Sequence, residues 1–299
     1  MSDDLSESCD GKSCSCYRIG VLGPEGSYSE KAALLWSKYR PGASLVYFPD
    51  FEAVLEAVFA GGVEVGIVPV ENSLEGAVTA VMDLLLRLNV VIVGEVNLPI
   101  RHCLVGRGEG EIKVILSHPQ ALAQCRQYLR EHYPNAEVRT TGSTSHAARL
   151  AQEFPEMAAI AGQDAAERYG LSILAREIQD ASDNVTRFIV TGREGIATTG
   201  RDKTSLIMYL DKDRPGALFS ILEEFARRNI NLTRIESRPS RKGLGDYYFY
   251  IDLEGHLHDR TVGQAVAAVK EKAAMIRVLG SYPRAGPSDS IQIEDKKKF

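Results

Sequence analysis

Two short polar segments of the 299-residue chain bring together residue types that could do chemistry. In Pro69-Val70-Glu71-Asn72-Ser73 a carboxylate, an amide and a hydroxyl directly follow a run rich in Val and Ile. In Asp183-Asn184-Val185-Thr186-Arg187-Phe188 a hydroxyl, a guanidinium and an aromatic ring stand side by side. A hydroxyl can give a hydrogen bond to a departing group, and a guanidinium can hold a carboxylate in two parallel bonds. Further hydroxyls at Ser27, at Ser117 and at Ser143-Thr144-Ser145 each come just before a helical pattern. Helix starts with hydroxyls bind anions without needing lysine, so a small ligand carrying carboxylates would suit them. Each position also has a plainer reading. Ser and Thr are good N-caps, Glu71-Asn72 can close a turn, and Arg187 can sit in a structural ion pair on an extended edge.

Ligands of open α/β sheets bind beyond the carboxyl ends of the strands, so the surrounding elements must bring these segments to one edge. Short Val/Ile runs between helical patterns predict a parallel sheet buried on both faces. Strands are expected at 17–22, 44–48, 63–70 and 90–96, with helices at 27–38, 51–59 and 74–88. A second series has strands at 113–116, 136–140, 158–161 and 172–175, with helices at 120–131, 144–154 and 163–169. Segments 100–105 and 186–191 read as extended, between or after the two series. Two α/β series of similar size suggest two lobes with a cleft between them.

After a polar stretch at 192–203 the pattern changes. Strands at 204–210, 230–237, 246–253 and 275–281, with helices at 216–228 and 259–270, give the ferredoxin-like order β-α-β-β-α-β. The expected organisation is a disordered tail at 1–16, a two-lobed region at 17–195, a smaller domain at 202–282 and a flexible tail at 283–299. Arg214-Pro215-Gly216-Ala217-Leu218 places Pro and Gly at a strand-to-helix turn, where backbone amides are open to a carboxylate. Asn231 falls on the next strand, and Glu236-Ser237-Arg238-Pro239 ends it, where a neighbouring subunit could meet it.

The net charge of -5 argues against a general electrostatic grip on nucleic acid. No apolar run reaches the ~18 residues of a membrane span. The first 16 residues are polar with no apolar core, so a cytoplasmic location is expected. The five cysteines are then expected to be reduced, with Cys9, Cys14 and Cys16 incidental thiols of the tail. No P-loop, His-Glu-x-x-His or Gly-x-Ser-x-Gly motif is present, so the sequence demands no nucleotide or metal cofactor.

Five motifs, in order, resemble prephenate dehydratase: Gly-Pro-Glu-Gly-Ser-Tyr-Ser from Gly23, Pro-Val-Glu-Asn-Ser-Leu-Glu-Gly from Pro69, His-Pro-Gln-Ala-Leu-Ala-Gln-Cys from His118, Ser-Thr-Ser from Ser143 and Thr-Arg-Phe from Thr186. The C-terminal part is similar to an ACT regulatory domain through the segments from Arg214, Ile230 and Glu236. The resemblance runs from Tyr17 to Tyr282. It implies a two-lobed α/β catalytic region resembling type-2 periplasmic binding proteins, followed by the ferredoxin-like domain. It also implies conversion of prephenate to phenylpyruvate with loss of carbon dioxide and water, and no cofactor. Inhibition by L-phenylalanine bound between paired ACT domains of a homodimer or homotetramer would accompany it. Thr186 would help the hydroxyl depart, with Arg187 on the substrate's carboxylate and Phe188 near its ring. Ser27, Glu71, Asn72, Ser73, Ser117, Gln124, Ser143, Thr144 and Ser145 would bind or orient the substrate. Gly216, Ala217, Leu218, Asn231, Glu236, Ser237, Arg238 and Pro239 would bind the effector. Arogenate dehydratase shares these motifs. A solute sensor built from two lobes and an ACT domain is the alternative of another class.

Overall fold

The structure is a computed structural model and describes residues 17–38, 40–210, 215–241 and 246–286. The expectations for the tail at 1–16 with its three cysteines, for Arg214 and for residues 287–299 lie outside the described residues.

The first lobe contains β1 (Arg18–Leu22), α1 (Tyr28–Ser37), β2 (Ser44–Phe48), α2 (Phe51–Phe59), β3 (Val65–Asn72), β4 (Gly76–Ala77), α3 (Thr79–Arg87) and β5 (Val91–Pro99). The second holds β6 (Cys103–Gly106), β7 (Val114–Ser117), α4 (Pro119–Gln124), α5 (Arg126–His132), β8 (Glu137–Thr140), α6 (Thr144–Glu153), β9 (Met157–Ala161), α7 (Gln163–Tyr169) and β10 (Ser172–Ala175). The chain then returns to the first lobe as β11 (Val185–Gly192). The first sheet runs β2-β1-β3-β11-β5, with β4 on β3, and the second runs β10-β6-β9-β7-β8. Two segments therefore cross between the lobes, 100–102 and 176–184.

The returning strand is antiparallel to both neighbours and has two buried faces. Phe188 and Val190 pack with Ala32 and Ala33 of α1, whereas Ile189 packs with α2 and α3. This alternation is the period-two geometry of any strand.

Two helices depart from the expected bounds. The pattern at 74–88 predicts a helix from Leu74, but α3 begins only at Thr79. The side chain of Asn72 takes the amides of Leu74 and Glu75 into a turn, and Gly76 at φ 81° folds back as β4. The helix expected at 120–131 is broken at Cys125 into α4 and α5. Asp180 of the second crossing segment fills the break: its amide bonds Gln124 O and its carboxylate accepts from the Gln127 amide.

The third unit comprises β12 (Asp202–Tyr209), α8 (Ala217–Ala226), β13 (Leu232–Pro239), β14 (Tyr247–Glu254), α9 (Arg260–Lys272) and β15 (Met275–Pro283), in the expected ferredoxin-like order. Its antiparallel sheet runs β13-β14-β12-β15. One face packs on α8 and α9 through Leu206, Met208, Ile251 and Leu253. The other packs on the first lobe, where Ile207, Tyr250, Leu279 and Tyr282 join the α2/α3 core. Gly280 permits this docking, because a Cβ there would fall 2.1 Å from Ile92 O of β5. No helix among the described residues is long and apolar enough to cross a membrane.

Candidate active site

Thr186 of β11 lies opposite Asn72 of β3 in antiparallel register. Asn72 Nδ2 donates to Thr186 Oγ1 at 2.9 Å. The direction of this bond is fixed by its surroundings. Asn72 Oδ1 accepts from the backbone amides of Leu74, at 3.0 Å, and Glu75, at 3.2 Å, and a backbone N–H can only donate. The other side-chain atom facing Thr186 is therefore the amide nitrogen. Thr186 receives one hydrogen bond and keeps its own proton to give, on an oxygen already polarised by a donor.

Three more side chains extend this arrangement. Asn72 Nδ2 also donates to Asn184 Oδ1 at 2.8 Å, and Asn184 Nδ2 donates to Gln124 Oε1 at 2.7 Å. Gln124 Nε2 reaches Glu75 Oε1 at 3.1 Å, on the exposed side. Asn184 is 2% exposed and was not among the expected site residues. It sits two residues before Thr186, in the segment that leads into β11.

Arg187 corrects an expectation. It points to the opposite face from Thr186 and meets the third unit, not the cleft. Its Nε bonds Glu95 at 2.7 Å, Nη1 bonds Asp252 at 2.6 Å and Nη2 bonds Tyr282 Oη at 2.8 Å. Lys203 adds a second cation on Glu95 at 2.8 Å. Burial by itself would raise the carboxyls of Glu95 and Asp252, but the surrounding charges and hydrogen bonds together outweigh it and hold both below their ordinary range: Arg187 and Lys203 at Glu95, and Arg187, Ser205 and Arg234 at Asp252. All three nitrogens of the guanidinium bond within the protein, which supports the structural ion-pair reading over the substrate carboxylate. Phe188 shares the Thr186 face but is 2% exposed within the α1 core, so it does not present its ring to a ligand.

Other expected site residues separate in the same way. Glu71 turns away from Asn72 to the Arg187 face, 3.7 Å from Arg187 and 3.5 Å from Arg234. Ser27 and Ser143 are N-caps, accepting from the amides of Glu30 and His146. Ser117 is fully buried and donates to Ile160 O at 2.6 Å, which ties β7 to β9. Ser145 is also fully buried and donates to Glu25 O, which ties the second lobe to the first. These two hydroxyls are structural, contrary to their expected contact with substrate. Ser73 is exposed and clamps the return segment, donating to Asp183 O and accepting from Val185 N, both at 2.9 Å. Thr144 is half-buried on the first turn of α6. Because Gly26 lies against Ser145, the starts of α1 and α6 face each other across the lobes.

In the third unit, Gly216 at φ 81° precedes α8, and no side chain caps the first turn, which contains Ala217 and Leu218. Asn231 is exposed just before β13. The run Glu236-Ser237-Arg238-Pro239 does not act as one cluster, because its side chains alternate between faces. Arg238 forks onto Asp83 of α3 with two bonds of 2.9 Å, and Glu236 sits 3.8 Å from Arg234. Both therefore turn to the first lobe, which corrects the expectation that they bind an effector between paired ACT domains. Ser237 and Pro239 are exposed on the other face. Among the described residues no group of three or more His, Cys, Asp or Glu could hold a metal ion.

Residues 19–196 match the prephenate dehydratase family, and residues 204–271 match the ACT domain. A prephenate dehydratase of Methanocaldococcus jannaschii is 41% identical over 266 residues, covering 87% of this chain and 96% of its own. An Arabidopsis thaliana protein named arogenate dehydratase/prephenate dehydratase 2 is 42% identical over 298 residues, covering 94% of this chain and 76% of its own. The crystal structure of a prephenate dehydratase from Arthrobacter aurescens in complex with L-Phe is 39% identical. It superposes with a TM-score of 0.80 over 91% of this chain and 94% of that one.

Proposed function

The chain belongs to the prephenate dehydratase family of lyases, and from that premise we propose that it converts prephenate to phenylpyruvate, with residues 17–195 as the catalytic unit and 202–282 as the regulatory one. The observation that carries this reading is the locked bond from Asn72 to Thr186. The ring hydroxyl of prephenate is a poor leaving group and needs a proton as it departs. The bond from the ring to its carboxylate breaks, and its electron pair completes the aromatic ring. The ring C–O bond breaks in turn, and the hydroxyl leaves as water with one added proton. Thr186 stands ready to give that hydrogen bond, because its oxygen already accepts from Asn72. Aromatisation supplies most of the driving force.

Prephenate carries two carboxylates, and Arg187 is not free to hold them. The facing helix starts, with Ser143 and Thr144, supply hydroxyls and first-turn amides suited to anions, while Ser27 gives its hydrogen to Leu22 O and shapes the start of α1. Gln124 and Ser73 border the same site through Asn184 and the return segment. L-phenylalanine is the proposed effector. The uncapped turn at Gly216, Ala217 and Leu218 would take its carboxylate, with Asn231, Ser237 and Pro239 completing the site beside the ACT domain of a second subunit. Inhibition then requires different affinities in two arrangements of a homodimer or homotetramer.

Incubation of purified protein with prephenate, read as phenylpyruvate absorbance in alkali, tests the reaction. Phenylpyruvate formation is the expected result. Turnover of arogenate alone would reassign the substrate, and turnover of neither would overturn the enzyme reading in favour of a sensor.

A further inference from the structure

His102 lies in the first crossing segment and is 3% exposed. Its Nε2 stands 2.9 Å from Gln124 Oε1, and its Nδ1 stands 3.2 Å from Tyr28 Oη. The ring thus bridges α1 of the first lobe and α4 of the second. Its backbone also joins the two crossing segments: His102 N donates to Gln179 Oε1, and Ile178 N donates to His102 O.

The Tyr28 hydroxyl donates to Arg101 O at 2.8 Å, so both ring nitrogens stand beside oxygens, and the shorter contact, at Nε2, is the one whose partner is fixed as an acceptor. Backbone amides fix Asn72 Oδ1 as an acceptor, so Asn72 Nδ2 donates to Asn184 Oδ1, and Asn184 Nδ2 donates to Gln124 Oε1. A carbonyl oxygen can only accept, so His102 Nε2 must carry a hydrogen to bond Gln124. With the hydrogen on Nδ1 alone, the Nε2 lone pair would face the Gln124 oxygen. The relief would be an amide flip, which places two donors together at Asn184. Burial pushes the His102 pKa down, which favours a neutral ring with one hydrogen to place.

We propose that His102, as its Nε2–H tautomer, is a positioning residue for the dehydration: it holds Gln124 and through it Asn184, and so steadies the far end of the amide relay whose near end, Asn72, donates to Thr186. The proposal rests on the reading of Thr186 as the group that assists the departing hydroxyl. The relay runs through both lobes and both crossing segments: backbone amides orient its Asn72 end, and a ring that never touches substrate holds its Gln124 end.

Three measurements test it. In protein labelled with 15N-histidine, the ring nitrogen shifts of folded wild type should report Nε2–H, and an Nδ1–H tautomer would overturn the relay. His102→Leu should lower kcat roughly 10- to 100-fold with KM for prephenate within about threefold, and His102→Gln, which returns an N–H donor, should recover most of the loss. Added to Gln124→Leu, His102→Leu should cost nothing further, because both act through one bond. A folded His102→Leu variant with wild-type kcat would sink the proposal. If that variant fails to fold, the wild-type tautomer still decides. A wild type that turns over no prephenate would defeat the functional reading, while the tautomer measurement would still judge the relay.

Discussion

Thr186 and Arg187 are neighbours in the chain that serve opposite faces of one strand: the first meets Asn72 of the same lobe at 2.9 Å, the second meets Asp252 of the ACT unit at 2.6 Å. The candidate catalytic hydroxyl and an anchor of the ACT unit are thus separated by a single peptide bond. A displacement of Asp252 acts on the strand that carries Thr186.

Thr186→Ala should lower kcat roughly 100-fold or more and leave KM within a few-fold, since the hydroxyl acts as the leaving group departs. Thr186→Ser should keep most of the activity. Steady-state kinetics with prephenate decide the matter, and an Ala variant within threefold of wild type would remove Thr186 from the mechanism.

Asn72→Asp keeps an acceptor for the amides of Leu74 and Glu75 but replaces the donor that faces Thr186. The Thr186 proton would then turn toward the new carboxylate, away from substrate. A kcat loss of about 100-fold is expected, with the far-UV spectrum unchanged. Wild-type turnover would show that polarisation of Thr186 is irrelevant.

Arg187→Met leaves the buried carboxylates of Glu95 and Asp252 without their shared cation. Urea unfolding should show a loss of about 3–5 kcal/mol, the usual consequence of breaking one side of a buried pair. Arg187→Lys keeps the charge but cannot reach three partners at once, so an intermediate loss is expected. If the Lys variant kept its stability and instead raised KM sharply, Arg187 would be a substrate ligand after all.

The same cluster sets a direction for acid sensitivity. Glu95 and Asp252 have folded pKa values below their ordinary ones, so they add stability above the ordinary carboxylate range and lose it as pH falls through the depressed values. The melting temperature should decline as pH falls below about 4. Asp252→Asn should flatten that decline. A variant with the wild-type slope would show that other groups govern it.

Truncation after Thr199 removes Lys203, Asp252 and Tyr282 and uncovers the apolar face of the first lobe that Ile207, Tyr250 and Leu279 cover. The truncated chain should melt lower and aggregate, as scattering during a thermal ramp would reveal. Asn231→Ala in the full chain is the cleaner test of the effector site. It should weaken L-phenylalanine binding by calorimetry and spare turnover. Unchanged binding would remove Asn231 from that site.

The sequence made the regular elements legible wherever local signals agreed. Residues 44–48 and 51–59 have the expected bounds, and Asp50 caps the second of them as its type suggests. It failed where a distant side chain intervened. The break at Cys125 is filled by Asp180, 55 positions away, and nothing in the apolar period of 120–131 announces it. The candidate site was legible as residue types but not as faces. Reading 186–191 as a strand already puts Thr186 and Arg187 on opposite sides, but the acids that claim Arg187 come from β5 and β14. Asn184 escaped for a related reason: a buried amide matters through the orientation its neighbours impose, which no composition encodes.

The insertion of β11 between β3 and β5 also has a consequence for biosynthesis. A ribosome makes β3 and β5 early, then the whole second lobe, and only afterwards the strand that joins them. At roughly 5–20 residues per second, the interval from residue 100 to residue 184 lasts several seconds. Until β11 fills the slot between them, the edges of β3 and β5 lack their partner strand, and open edges of this kind pair with the wrong chain. The slot closes with the same strand that delivers Thr186. The nascent chain therefore becomes competent for chemistry and loses its most adhesive edges in one event, and an arrested translation product ending before Val185 would have neither property.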